Sequence, residues 1–231
     1  MNNIEKNLKE VMRRIGESAK AAFRNPEDIL LVGVTKTRTA EEINAAIDAG
    51  LTDIGENKVQ ELISKYDLVK PCRWHMIGHL QTNKVKYIVD KVVMIHSVDS
   101  INLASEINKR CKNKKITMDI LIQINLGMEE AKGGVSPREA EPLICEILEK
   151  CENVTVKGLM IIPPASEDIN VTKGYFRELK QLFDSLQSMG NERLALQYLS
   201  MGMSQDYEEA VLEGANIVRV GTSIFGPRNM A

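Results

Sequence analysis

The stretch Leu30-Leu31-Val32-Gly33-Val34-Thr35-Lys36 is an apolar run that ends abruptly on a lysine, and Thr39-Ala40-Glu41-Glu42 then opens a helical pattern. A short continuous apolar run bounded by polar residues fits a strand buried on both faces, as in parallel sheets covered by helices. A lysine is costly to desolvate unpaired, so it belongs at the strand's carboxyl end rather than inside it. In α/β folds that end is where ligands bind. Partial desolvation there lowers an amine's pKa and makes it a nucleophile toward carbonyls. A single such lysine also fits a side chain that snorkels out of a strand end, so other residues have to decide.

The same alternation continues along the chain. Residues 40–49 read as a helix closed by Gly50, and 52–55 as a strand leading into Glu56-Asn57 and a second helix. Residues 73–77 form the third strand, with Gly78-His79-Leu80-Gln81 as its exit loop, before a helix over 82–90 and a strand over 92–95. A helix capped by Ser100 follows, then a strand over 118–125 and a glycine-rich loop. Ser136-Pro137-Arg138-Glu139 has the capping-box pattern with proline at the first helical position. Residues 154–162, 197–199 and 217–220 supply strands six to eight, separated by helices over 171–189 and 206–213. Ahead of all this, Ile4, Leu8, Val11, Met12 and Ile15 recur at helical spacing among charged residues, which reads as an amphipathic surface helix rather than a signal peptide. Eight strand–helix units without a long linker predict a single (β/α)8 TIM barrel with an extra N-terminal helix, one domain over 1–231. A doubly wound sheet is the alternative, because alternation alone does not fix closure.

Composition narrows the function classes. A net charge of -2 offers no basic field for a phosphate backbone, so no nucleic acid partner is expected. No apolar run approaches the length of a bilayer span, so no membrane partner is expected either. Cys72, Cys111, Cys145 and Cys151 have no CxxC spacing and read as reduced thiols, which points to a cytoplasmic protein. His75 and His96 look isolated, without a carboxylate or cysteine at ligand spacing, so no metal is expected.

The second anomaly is Arg219, set among apolar residues on strand eight. Alternate side chains of a barrel strand point inward, and a buried guanidinium needs an acceptor or an anion. An internal salt bridge to a carboxylate such as Glu56 is one answer. Gly221 and Thr222 follow, where amides after strand eight commonly cradle phosphate in this fold. Gly221 also fits an ordinary tight turn. On strand seven, Ser200-Met201-Gly202-Met203-Ser204 offers hydroxyls at the equivalent level. An amine on strand one beside a phosphate pocket at strands seven and eight suits a phosphorylated aldehyde.

Five segments in order carry a resemblance: Val34-Thr35-Lys36; Gly55-Glu56-Asn57-Lys58-Val59-Gln60-Glu61; His75-Met76-Ile77-Gly78-His79-Leu80-Gln81-Thr82-Asn83-Lys84; Leu199-Ser200-Met201-Gly202-Met203-Ser204-Gln205-Asp206; and Arg219-Val220-Gly221-Thr222-Ser223-Ile224-Phe225-Gly226. Together they closely resemble the pyridoxal phosphate homeostasis protein family. The resemblance implies a barrel like the N-terminal domain of alanine racemase, with pyridoxal 5'-phosphate (PLP), the vitamin B6 cofactor, held as an aldimine. It implies that Lys36 is the Schiff-base lysine, that Ser200, Gly221 and Thr222 hold the phosphate, that Arg219 faces the pyridine nitrogen, and that Asn57 and the Met201 backbone lie near the cofactor. Gly158-Leu159-Met160 fits the family as packing.

Two features separate this chain from the racemases of that fold. Those enzymes carry a tyrosine four residues after the lysine, where Ala40 stands here, and take a second one from a C-terminal domain of the partner subunit. This sequence has no such domain before Ala231, which is compatible with a monomer. A permanent cation at the ring nitrogen also weakens the electron sink of the cofactor. The expectation is therefore a PLP-binding protein of intracellular PLP homeostasis, serving PLP-dependent apoenzymes, without robust catalysis of its own. A weak PLP-dependent amino-acid racemase and a PLP-free Schiff-base aldolase are the alternatives. His79 reads as loop chemistry rather than as a general base, and Glu129-Glu130-Ala131-Lys132-Gly133-Gly134 as a solvated loop or a lid over the barrel mouth.

Overall fold

The computed structural model describes residues 3–127, 133–187 and 194–227. Eight parallel strands, β1 (Leu30–Val34), β2 (Asp53–Glu56), β3 (Arg73–Met76), β4 (Met94–Val98), β5 (Met118–Ile124), β6 (Val154–Ile161), β7 (Leu194–Ser200) and β8 (Ile217–Val220), follow one another around a closed barrel. Closure is made by β8 pairing with β1, Leu30 opposite Ile217 and Val32 opposite Arg219. The fold is thus a TIM barrel, and the doubly wound sheet is excluded.

Helix α1 (Asn3–Ala21) precedes β1 and buries Leu8, Val11 and Ile15 against α7 (Tyr207–Leu212) and α8 (Thr222–Phe225). The other helices are α2 (Ala40–Asp48), α3 (Val59–Tyr66), α4 (Ile101–Lys114), α5 (Pro137–Lys150) and α6 (Ile169–Leu186). Capping boxes at Thr39/Glu42 and Ser136/Glu139 open α2 and α5, each satisfying amides that a helix start leaves without partners. The main apolar cluster fills the space between barrel and helices.

Three boundaries differ from the sequence reading. The helix expected over 82–90 is a 3-10 helix, Thr82–Tyr87, that turns Val85 toward the core and is closed by the Ile88 amide on the Val85 carbonyl. Strand β4 lies later than 92–95 because its polar residues, His96 and Ser97, have partners inside the fold and extend the strand. Strand β7 starts earlier than 197–199, with the apolar and partly buried Leu194, Ala195 and Leu196 extending it at the amino end.

Register decides which side chains enter the lumen. Val32 on β1 pairs with Asp53 on β2 and with Arg219 on β8, and Gly55 on β2 pairs with Val34 on β1 and with His75 on β3. A small second apolar cluster of Val32, Met94, Leu121, Met160 and Ile217 plugs the barrel apart from the outer core. Such a packed interior is normal for this fold. The polar side chains Asp53, His75, His96, Ser200 and Arg219 are buried as well.

Candidate functional site

The carboxyl ends of the strands surround a cavity of about 390 Å³, within the roughly 300–1,000 Å³ usual for small-molecule sites. Lys36, Asn57, Arg219, Gly221 and Thr222 all line it, joined by Ser204 and Asp206 from the β7–α7 connection. Apolar walls come from Val34, Ile77, Ile162 and Met203.

Lys36 sits two residues past β1, and both its neighbours are fixed. Thr35 donates from its hydroxyl to Glu56 Oε1 at 2.8 Å, and its carbonyl accepts from Lys65 Nζ at 2.9 Å. The Thr37 amide donates to Glu61 Oε2 at 2.8 Å. Lys65 Nζ ties the two carboxylates together, 2.7 Å from Glu56 and 3.1 Å from Glu61. Thr37 itself has a φ of 62°, a left-handed conformation uncommon for a non-glycine residue and typical of places where the surroundings over-determine the backbone. Burial pushes the Glu56 carboxyl up, against its bonds to Lys65 and Thr35. Glu56 therefore belongs to Lys65 and does not form the salt bridge with Arg219 that the sequence left open.

Arg219 is fully committed on the side away from the cavity. Its Nη1 donates to Ser200 Oγ at 2.6 Å and its Nη2 to the Ile161 carbonyl at 2.8 Å. Burial pushes the guanidinium down to about 10, with Asp206 opposing the change, so it remains protonated at neutral pH. Burial likewise raises Asp206, whose Oδ1 accepts the Met203 amide at 2.5 Å.

At the β8 exit, Ser204 Oγ accepts the Gly221 amide at 3.1 Å and the Ser223 amide at 3.4 Å. A Cβ on Gly221 would stand 3.3 Å from Val34 Cβ, tight against the first strand. Across the cavity the Asn57 backbone runs under Gly78, where a Cβ would lie 2.3 Å from the Asn57 carbonyl oxygen. Only glycine permits that approach. The His75–Lys84 segment thus holds Asn57 at the wall. Asn57 Oδ1 is buried and has no hydrogen-bond partner among the described residues, an acceptor presented to whatever occupies the cavity.

A family model described as alanine racemase, N-terminal domain, matches residues 1–229. The pyridoxal phosphate homeostasis protein of Aquifex aeolicus is 47% identical over 230 residues, covering 99% of both chains. The chain belongs to the pyridoxal phosphate homeostasis protein family, on the alanine racemase N-terminal domain. The homeostasis protein of Escherichia coli is 35% identical over 99% of this chain and 98% of its own. Among solved structures, PipY of Synechococcus elongatus with PLP bound matches at a TM-score of 0.81 and 32% identity, over 92% of this chain and 100% of that one. Alanine racemase of Clostridium difficile shares the fold alone, at 18% identity and a TM-score of 0.74 over 95% of this chain and 56% of that one.

Not every residue expected at the site of a homeostasis-family barrel lines this cavity. Ser200 is fully buried behind Arg219, its hydroxyl bonded to Arg219 and to His96, and is not among the cavity-lining residues. The hydroxyl at the wall is Ser204, four residues on, which the sequence presented only as part of the same run. Met201 turns its side chain into the outer core, with its amide bonded to the Ile217 carbonyl. Asp206, at the start of a helix in the sequence, joins the cavity wall without having been expected there. Its signal was its place in the Ser200–Asp206 segment. His79 is exposed and lines a separate surface groove with Gln81, Asn83 and Asp99. Of the proposed lid, residues 129–132 lie outside the described residues, while Gly133 and Gly134 are bonded to Gln123 and Asp99. His75 and His96, which looked isolated, are 2.9 Å apart.

Proposed function

We propose that this chain binds PLP in the β1–β8 cavity through Lys36, and that it serves intracellular PLP homeostasis, supplying PLP-dependent apoenzymes of the cytoplasm without robust catalysis of its own. The observation that carries this reading is the convergence of one lysine amine, two buried guanidiniums (Arg219 and Arg38) and a hydroxyl-rich corner in a single cavity. Bound there, the cofactor supplies an aldehyde carbon that condenses with an amine, losing water.

The residues fit that group. Lys36 is the amine, on a backbone fixed from both sides. Gly221, Thr222 and Ser204 form the corner suited to phosphate oxygens. Asn57 Oδ1, buried without a donor, suits a ring hydroxyl. Arg219 is a permanent donor toward an unprotonated ring nitrogen, which keeps the cofactor a weak electron sink. The family's name and the PLP bound to PipY support the same assignment.

Catalysis on an amino acid needs an acid/base on each face of the cofactor adduct. Among the described residues lining the cavity, the amine of Lys36 and the carboxyl of Asp206 are the acid/base side chains besides the arginines, and Asp206 is engaged with the Met203 amide. That supports holding and release over turnover. The test is borohydride reduction of the purified protein with PLP, followed by intact mass and peptide mapping. One label on Lys36, absent in Lys36→Ala, is expected. Label spread over surface lysines would refute the site. Deuterium exchange at the α-carbon of an amino acid, lost in Lys36→Ala, would favour the racemase reading.

A further inference from the structure

Behind Arg219 the barrel lumen holds a continuous polar chain. Arg219 Nη1 lies 2.6 Å from Ser200 Oγ, Ser200 Oγ 3.0 Å from His96 Nδ1, His96 Nε2 2.9 Å from His75 Nδ1, and His75 Nε2 2.9 Å from Asp53 Oδ1. Asp53 is closed at the far end by a two-pronged pair with Arg73, at 2.7 and 2.6 Å, and by the Thr52 hydroxyl at 2.7 Å. The four inner links are buried, and the guanidinium of Arg73 reaches the surface at the amino end of the barrel.

Hydrogen-bond chemistry fixes the direction of every link. A guanidinium only donates, so Ser200 Oγ accepts from Arg219. A serine hydroxyl carries one proton, and the acceptor beside it is His96 Nδ1. Burial, with the neighbouring Arg219 guanidinium, holds His96 well below its ordinary value, so the ring is neutral, and with Nδ1 accepting from Ser200 its proton sits on Nε2. That proton points at His75 Nδ1, which must accept, leaving the His75 proton on Nε2 to meet the ionised Asp53. Both rings are then neutral Nε2–H tautomers, and all links donate toward Asp53. The reverse arrangement strands the buried Ser200 proton, at a cost of about 1–3 kcal/mol.

We infer that Ser200, His96, His75 and Asp53 form one directed chain, anchored at Asp53, that positions Arg219 at the cofactor cavity. The inference rests on the PLP reading of the cavity for its purpose, though not for its geometry. None of the four is a catalytic residue. They are positioning residues, and they account for polar groups in a lumen otherwise plugged by hydrocarbon.

Two measurements test it. In protein labelled with ¹⁵N-histidine, without PLP and at pH 7.5, the rings of His75 and His96 are expected to show the neutral Nε2–H pattern, assigned with His75→Asn and His96→Asn. An imidazolium or an Nδ1–H ring at either position would overturn the chain, whatever the cavity binds. With PLP loaded, Asp53→Asn and Ser200→Ala, at opposite ends, are expected to displace the visible band of the bound cofactor in the same direction and to weaken its affinity at least threefold. Ser200→Thr, which keeps the hydroxyl, should restore the band. A lowered Tm in both variants with the band unmoved would reduce the chain to a structural role and sink the proposal. A wild-type protein that develops no visible band with PLP would refute the PLP reading, and the histidine spectra would still decide the chain.

Discussion

Lys65 Nζ stands 2.7 Å from Glu56 Oε1 in a pocket where the carboxylate is wholly buried, and the same ammonium holds the Thr35 carbonyl at 2.9 Å. One cation thus neutralises the acid beneath the site and fixes the residue before Lys36. Removing one partner of a buried pair leaves the other uncompensated, at a cost of about 3–5 kcal/mol. Lys65→Met should therefore lower unfolding stability by that amount and raise the Glu56 carboxyl further. It should also slow labelling of Lys36 by PLP and borohydride. Urea unfolding and the labelling rate check the two effects together. Loss of stability with labelling unchanged would separate the pair from the site.

Arg219→Met tests the opposite wall of the cavity. A hydrogen bond to a charged group is worth about 1.5–3 kcal/mol, so PLP affinity should fall roughly tenfold or more. The Ile161 carbonyl and Ser200 lose their donor, yet a buried charge is removed, so the stability change should be small beside the loss of affinity. Absorbance titration with PLP and thermal unfolding measure both. An unchanged affinity would remove Arg219 from the site.

The barrel was legible because its grammar is local: apolar runs of strand length, capped helices, and glycines or prolines between them. The lysine after β1 and the arginine in β8 stood out because both are expensive to bury, and the structure brings them to one cavity. What did not show was pairing across the lumen. Asp53, His75, His96 and Ser200 come from four strands, and nothing in their spacing announces that they meet. Which serine of the β7 segment faces the cavity turns on the same point. Two serines four residues apart carry the same chemistry, and only the register of β7 against β8 decides that Ser200 lies under Arg219 while Ser204 reaches the rim.

Gly78→Ala tests the role of the His75–Lys84 segment. The new methyl would stand 2.3 Å from the Asn57 carbonyl oxygen and 2.6 Å from its Cα, both backbone atoms. Overpacking of this kind costs about 1–3 kcal/mol and moves the backbone that meets it. Because Asn57 lines the cavity, PLP affinity should fall along with Tm. Titration of the folded variant well below its Tm checks this. Full affinity in a destabilised protein would mean that Asn57 contributes nothing to binding.

The His96 ring predicts a specific pH dependence of stability. Folded, it stays neutral well below the ordinary histidine value because it is buried beside His75 and Arg219. Unfolded, it takes up a proton as pH falls through about 6.5. The unfolded state therefore binds the extra proton, so stability is complete above about pH 6.5 and declines below it by about 1.4 kcal/mol per unit for this one group. Asp53 adds a later loss. Burial raises its carboxyl, but the bonds to His75, Arg73 and Thr52 outweigh that and hold it well below the usual range. Its stabilisation is thus lost only on acidification below about pH 4. Urea unfolding of wild type and His96→Asn between pH 7.5 and 5 separates the two. The variant should be less stable at pH 7.5, and the two curves should converge toward pH 5 as the wild type loses the His96 contribution. Curves that stay parallel would mean that the folded ring takes up a proton as readily as the unfolded one, which a neutral acceptor for Ser200 does not allow.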